Sequence, residues 1–286
     1  MTRTFDFTNT IWCAGCGHFG VRNALVAGLT RMEIPAHETM VLAGIGCSGT
    51  LQNNVRAYGY HALHGRVLPA ALGVKLSNPE LTVVAAGGDG DGYAIGAGHL
   101  VHTFKRNPGI VYLLMNNAVY GLTKGQDSPT AEPMDRGAED SLDGIALGLA
   151  LAGSSFLARG FSGAPGQLDR LILAALEHAR SGRGFAFVEI LSPCVTYNDT
   201  YAEWAGQVVD LNADPEYDRF DRSQAFGRIH EVADAGGIAT GLIYENRGTA
   251  METRMNAGET ASPANQPPEV APHLDDYRAL MAQYAV

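Results

Sequence analysis

Between about residues 18 and 220 the chain alternates short, near-continuous apolar runs with longer segments rich in Ala, Leu and Gly that have helical spacing. Such alternation is the pattern of a parallel sheet whose strands are buried on both faces and joined by crossover helices. Strands are predicted at Met40–Gly44, Leu81–Ala86, Ile110–Met115, Ser155–Ala158 and Phe185–Leu191. Helices are predicted over about 18–32, 67–77, 92–106, 140–151 and 165–181. The expected fold class is therefore α/β, a mostly parallel sheet with helices on both faces, formed by residues 1–220. Past 220 the pattern weakens, so 221–286 reads as a C-terminal extension or irregular tail. Within it Gly248–Pro272 has the composition of a linker or surface-wrapping segment. His273–Val286 sets Leu274, Tyr277, Leu280, Met281 and Tyr284 at helical spacing, suited to docking on this chain or on a partner.

Composition narrows the function classes. At 286 residues, 46% of them hydrophobic and 17% charged, the chain has ample material for a buried core. A formal net charge of -10 gives no broad positive field, which argues against nucleic acid as a partner. No apolar run is long enough to span a bilayer, and MTRTFDF lacks the apolar stretch of a signal peptide, so a cytoplasmic protein is expected. Four cysteines are too few for a disulfide scaffold and are candidates for metal or cluster ligation, or for plain core positions.

Four unusual segments each follow the carboxyl end of a predicted strand: GIGCSG from Gly44, GGDGDG from Gly87, NNAVYG from Asn116 and LSPCVTY from Leu191. In open parallel sheets ligands bind in the crevice beyond those ends, so the four should converge on one rim. Around Asp89 the glycines would let a backbone approach a diphosphate closely while the carboxylate holds a divalent cation; the plain alternative is a Gly-rich turn with an Asp N-cap. Neither the G-x-G-x-x-G of nicotinamide sites nor a P-loop match is present. What is present is Gly-Asp-Gly followed, 28 positions after Asp89, by Asn117, with a helix and an apolar strand between. This resembles the thiamine diphosphate motif, in which the Asp, the Asn and a main-chain carbonyl two residues later surround Mg²⁺. The matching positions are Asp89, Asn117 and Val119.

Cys13 and Cys16 form a C-x-x-C, while Cys47 and Cys194 stand alone on two of the strand-end loops. Four thiolates suit either tetrahedral zinc or a 4Fe-4S cluster. Zinc sites usually add a second close pair, so ligands drawn singly from distant strands favour iron and sulfide. A redox dithiol and inert core cysteines are the remaining readings.

In order along the chain, WCAGCG, GIGCSG, HGR at His64–Arg66, GGDGDG, NNAVYGLTKGQ and SPCVTY resemble the β subunits of 2-oxoacid:ferredoxin oxidoreductases. The one departure is Ala14, where the family has Pro; this relaxes one backbone angle and touches no ligand. The resemblance implies a thiamine diphosphate-binding fold and a coenzyme A-dependent oxidative decarboxylation, with single electrons leaving through a 4Fe-4S cluster to ferredoxin. It implies Cys13, Cys16, Cys47 and Cys194 as cluster ligands, and Asp89, Asn117 and Val119 as holders of Mg²⁺. Ile45, Gly46, Cys47, Ser48, His64, Gly88, Asp89, Gly90 and Asp91 would line the cofactor pocket together with Asn117, Val119, Tyr120, Gly121, Leu122 and Thr123. Leu122 would limit substrate size. His64, Arg66 and Lys124 are the candidate catalytic residues, facing the diphosphate or the substrate. No carboxylate source for the aminopyrimidine is evident, so a larger α subunit is expected to complete the site, in a heterodimer or a dimer of heterodimers. The segment YGLTKGQ resembles the two-subunit branch that uses 2-oxoglutarate or a broad range of 2-oxoacids. Alternatives are a pyruvate-using member, a non-redox thiamine decarboxylase or synthase with structural zinc, and a non-catalytic zinc or scaffold module.

Overall fold

The computed structural model describes residues 5, 10–131, 141–255, 264 and 274–283. In chain order its principal elements begin with α1 (His18–Arg31), β1 (Thr39–Ala43), β2 (Tyr58–His61), α2 (Val67–Ser77), β3 (Thr82–Gly88), α3 (Ala97–Arg106) and β4 (Ile110–Asn116). A small hairpin, β5 (Val119–Tyr120) and β6 (Gln126–Asp127), precedes α4 (Gly144–Ala150), β7 (Phe156–Phe161), α5 (Pro165–Arg180) and β8 (Ala186–Leu191). Then come α6 (Tyr201–Gln207), β9 (Val208–Asp210), α7 (Arg222–Asp234), β10 (Ile238–Glu245), α8 (Met251–Met255) and α9 (Leu274–Gln283).

The main sheet runs β2-β1-β3-β4-β8-β7-β10-β9. From β2 to β7 every pairing is parallel; β10 runs antiparallel to β7, and β9 is parallel to β10. Because successive side chains on a strand point to opposite faces, β4 feeds two cores. Val111, Leu113 and Met115 join Val21, Leu25 and Leu29 of α1 and Ile172 and Leu176 of α5. Ile110, Tyr112 and Leu114 join Leu68 of α2, Phe104 of α3, Leu149 of α4 and Ile229 of α7. The apolar residues at successive β4 positions are thus required by helices on both faces, as the sequence pattern implies.

Three features depart from the expectation. The edge strand β2 has all four residues exposed, so no apolar run marked it. The predicted helix over 92–106 is two pieces, a π-helical turn at Gly90–Ile95 and then α3, while position 140 of the helix predicted over 140–151 lies outside the described residues. The boundary at 220 does not part the sheet: α7 packs on β10, and β10 pairs with both β7 and β9. Its signal was hidden by Gly241 at φ +105 and by a bulge between Leu242 and Tyr244, which shifts the two-residue alternation.

Of the segment expected as a linker, α8 is described and is anchored, since both Glu252 carboxylate oxygens accept from Gly109 N–H at 3.1 Å. Residues 256–263 and 265–272 lie outside the described residues. In α9, Tyr277 and Met281 are exposed. No helix among the described residues is long and apolar enough to cross a membrane.

Candidate active site

β1, β3, β4 and β8 are consecutive in the sheet, so the loops at their carboxyl ends lie side by side. A cavity of about 140 Å³ opens beyond them. Ile45, Gly46, Cys47 and Ser48 form one part of its wall, Gly88, Asp89, Gly90 and Asp91 the next. Asn117, Val119, Tyr120, Gly121, Leu122 and Thr123 close the far side, with His64 from the loop after β2. The glycines are dictated by close approach: a methyl group on Gly90 would collide with the Tyr120 ring, and one on Gly44 with the Asp91 carboxylate.

Asp91 ties three loops together. Its Oδ1 accepts from Ile45 N–H at 2.9 Å and Gly65 N–H at 2.8 Å, and lies 2.9 Å from His64 Nδ1. Asp89, two residues earlier and 2% exposed, has a different environment. Its Oδ2 accepts from the hydroxyls of Ser128 and Thr130, the latter at 2.7 Å. None of these partners is cationic, and burial raises the Asp89 pKa. The buried guanidinium of Arg159 is taken by Glu189 at 2.6 Å and Asp143 at 2.7 Å. Asp89 is therefore a buried carboxylate in need of a counter-charge, the environment a divalent cation fits. Asn117 Oδ1 accepts from Val119 N–H at 3.1 Å, and the Val119 carbonyl accepts from Gly121 N–H at 3.0 Å.

Cys47 and Cys194 border the same wall. A methyl group on Gly121 would stand 3.5 Å from Cys194 Sγ and 3.8 Å from both Cys47 Sγ and Asn117 Nδ2. Burial pushes the Cys16 thiol up to about 11, and its neighbours Cys47, Cys194 and Cys13 push in the same direction. Cys47 is raised by burial and then by Cys194 and Cys13. Trp12 Nε1–H donates to the Cys47 carbonyl at 2.8 Å, and Thr196 Oγ1 donates to Cys13 Sγ at 3.2 Å. Among the described residues no three or more His, Cys, Asp or Glu side chains stand where they could together hold one metal ion.

Two family models fit the chain: the thiamine pyrophosphate enzyme C-terminal TPP-binding domain over residues 44–190, and the C-terminal region of the pyruvate ferredoxin oxidoreductase β subunit over 194–259. A 2-oxoacid:ferredoxin oxidoreductase subunit β from a Sulfolobus species is 40% identical over 280 residues, 89% of this chain and 90% of that protein. The chain belongs to this family of β subunits. Another relative, the 2-oxoglutarate synthase subunit KorB of Methanothermobacter thermautotrophicus, is 39% identical over 194 residues, 65% of this chain and 66% of its own. Among solved structures, a 2-oxoglutarate:ferredoxin oxidoreductase from Magnetococcus marinus with 2-oxoglutarate, coenzyme A and succinyl-CoA bound superposes with a TM-score of 0.84. It is 32% identical, with 98% of this chain and 96% of that chain covered.

The β subunit thus carries a thiamine diphosphate-binding domain, and the residues expected at its pocket do line one cavity. Of the three candidate catalytic residues only His64 lines it. Arg66 is exposed and donates to the Ile95 carbonyl at 3.0 Å, which fixes the start of α2 against the π-helical turn. Lys124 is exposed in the β5–β6 turn. Sequence reasoning missed four residues. His18, buried in the cavity wall, meets Ser192 Oγ at 2.6 Å through Nδ1, and burial lowers its pKa to about 4. Asn198 Nδ2–H donates to the Asn117 carbonyl at 3.0 Å and its N–H to the Cys194 carbonyl at 2.9 Å, so one residue joins the cysteine loop to Asn117. Ser128 and Thr130 are the other two. Only His18 carried a signal, opening a helix directly after C-x-x-C-G.

Proposed function

We propose that this β subunit holds Mg²⁺ and thiamine diphosphate in the rim cavity and a 4Fe-4S cluster on Cys13, Cys16, Cys47 and Cys194. With a larger α subunit it would catalyse coenzyme A-dependent oxidative decarboxylation of a 2-oxoacid, 2-oxoglutarate being favoured, and pass electrons to ferredoxin. The reading rests chiefly on Gly121, around which two cysteine sulfurs and the Asn117 amide crowd within 4 Å of one point. Bound there, thiamine diphosphate supplies an electron sink for decarboxylation, and a thiolate-held cluster accepts single electrons.

The chain's own residues then divide the work. Asp89, Asn117 and the Val119 carbonyl hold the cation, and Gly90 lets the diphosphate approach the backbone. Asp91 fixes Ile45 and His64 on the facing wall, and Leu122 at the mouth limits the oxoacid. Lys124 offers a positive charge to a carboxylate or other anion arriving at the rim. The oxoacid preference is supported by the relatives named for 2-oxoglutarate; a pyruvate-using enzyme is the second reading. Thiolate ligands need reducing surroundings, which supports a cytoplasmic location.

Iron and sulfide analysis of anaerobically purified complex tests the cluster, with about four of each per chain expected; a colourless, zinc-containing active protein would overturn it. Asp89→Ala should abolish Mg²⁺-dependent thiamine diphosphate binding and leave the visible chromophore, whereas Cys194→Ser should do the converse. Steady-state rates of the reconstituted complex with 2-oxoglutarate, pyruvate and oxaloacetate decide the substrate.

A further inference from the structure

The Asp89 carboxylate is held from behind by the hydroxyls of Ser128 and Thr130, and Thr130, half-buried, adjoins a network of buried polar groups. Thr130 Oγ1 lies 2.7 Å from Asp89 Oδ2 and 2.7 Å from Asn116 Oδ1. The Asn116 amide is already fixed, because Nδ2–H donates to Glu189 Oε1 at 3.0 Å and Oδ1 accepts from Ala118 N–H at 3.1 Å. Glu189, on the otherwise apolar β8, is 1% exposed; it also accepts from Tyr93 O–H at 2.9 Å and from Arg159 Nε–H. Arg159 in turn donates to Asp143, the N-cap of α4. A buried carboxylate in the middle of an apolar strand is costly unless every partner is in place, and one of its partners, Asn116, stands beside Thr130.

A hydroxyl has one proton, so Thr130 donates to one of its two neighbours at a time. Asn116 Oδ1 already receives the Ala118 N–H, and a charge-assisted bond to a carboxylate is roughly twice as strong as a neutral one. Asp89 is therefore the acceptor that gains more. Ser128 donates to the same Oδ2, so both hydroxyls restrain one oxygen and set the plane of the carboxylate. The turn that carries them is itself fastened, by Ala131 N–H to the Ser128 carbonyl at 3.0 Å and Leu142 N–H to the Pro129 carbonyl at 2.9 Å.

We infer that Ser128 and Thr130 are positioning residues that orient Asp89 for its divalent cation, held in place by the hydrogen-bonded turn that carries them. The inference rests on the cofactor reading above. Its test uses the αβ complex, stripped of cofactor by chelation and titrated with thiamine diphosphate and Mg²⁺ by calorimetry. Thr130→Val should weaken Mg²⁺-dependent binding by about tenfold, the loss of one charge-assisted bond. The Mg²⁺ concentration for half-maximal rate should rise by a similar factor while kcat at saturating Mg²⁺ stays within about twofold. Thr130→Ser, which restores the hydroxyl, should return binding to within about threefold of wild type, with iron content unchanged throughout. Wild-type affinity in Thr130→Val, or a Thr130→Ser variant as weak as Thr130→Val, overturns the inference and leaves the cofactor reading intact. A wild-type complex that binds no thiamine diphosphate with Mg²⁺ overturns both. Should Thr130→Val not fold, Ser128→Ala removes the companion hydroxyl, and unchanged affinity there overturns the inference equally.

Discussion

Lys124 is held at φ +79, in the left-handed region where a side chain is strained by about 1 kcal/mol, and it is followed by Gly125 at φ +105. Replacing it by Gly relieves that strain at some cost in unfolded-state entropy, so Lys124→Gly should leave stability unchanged or raise it by up to about 1 kcal/mol. The same change should raise KM for the anionic substrate or for coenzyme A about tenfold, which thermal melts and steady-state kinetics read together. A variant that melts lower at unchanged KM would show the lysine to be structural. At Cys13 the Thr196 hydroxyl supplies a hydrogen bond to sulfur. Hydrogen bonds to cluster sulfurs raise the reduction potential, and about 1.5 kcal/mol corresponds to about 60 mV for one electron. If the proposed cluster is held there, Thr196→Val should therefore lower its midpoint by that order in a redox titration followed by electron paramagnetic resonance. Asp89, Asn117 and Cys47 were singled out in the sequence because short motifs carry them at fixed spacing, and all three line the cavity. Ser128, Thr130 and Asn198 were not, since single polar residues acquire partners only when the fold brings distant loops together.

At the level of elements, the strands and helices of the central sheet were legible because burial on both faces demands unbroken apolar runs. β2 failed that test by being an exposed edge, and β10 by its bulge. β10 ends in Glu245, held by Arg183 and, at 3.4 Å, by Arg219. His178, at 3.5 Å, and these cations keep its carboxyl below the usual range. A carboxylate with a depressed folded pKa contributes stability above its unfolded value of about 4.5, and that contribution is lost as pH falls through the folded value. Glu245→Gln should cost about 2 kcal/mol at neutral pH. The difference from wild type should shrink as the pH drops below about 4, which urea unfolding at a series of pH values would measure. A gap independent of pH would remove the ion pairs as its cause.

On the scale of the whole molecule, two apolar cores on opposite faces of one sheet make the scaffold stiff, while the chemistry is confined to the loops along one rim. The flank of that rim is β2, which ends the sheet with Tyr58 and Tyr60 exposed, and Leu63 just beyond it is 78% exposed. A parallel edge whose amides and tyrosines face outward is a template for whichever strand reaches it first. Produced without an α subunit, the chain should run as concentration-dependent oligomers in light-scattering chromatography, and co-production should return a single species. Tyr60→Arg or Tyr60→Glu should suppress that self-association. Suppression by either change would make the order of synthesis of the two subunits a matter of solubility as well as of assembly.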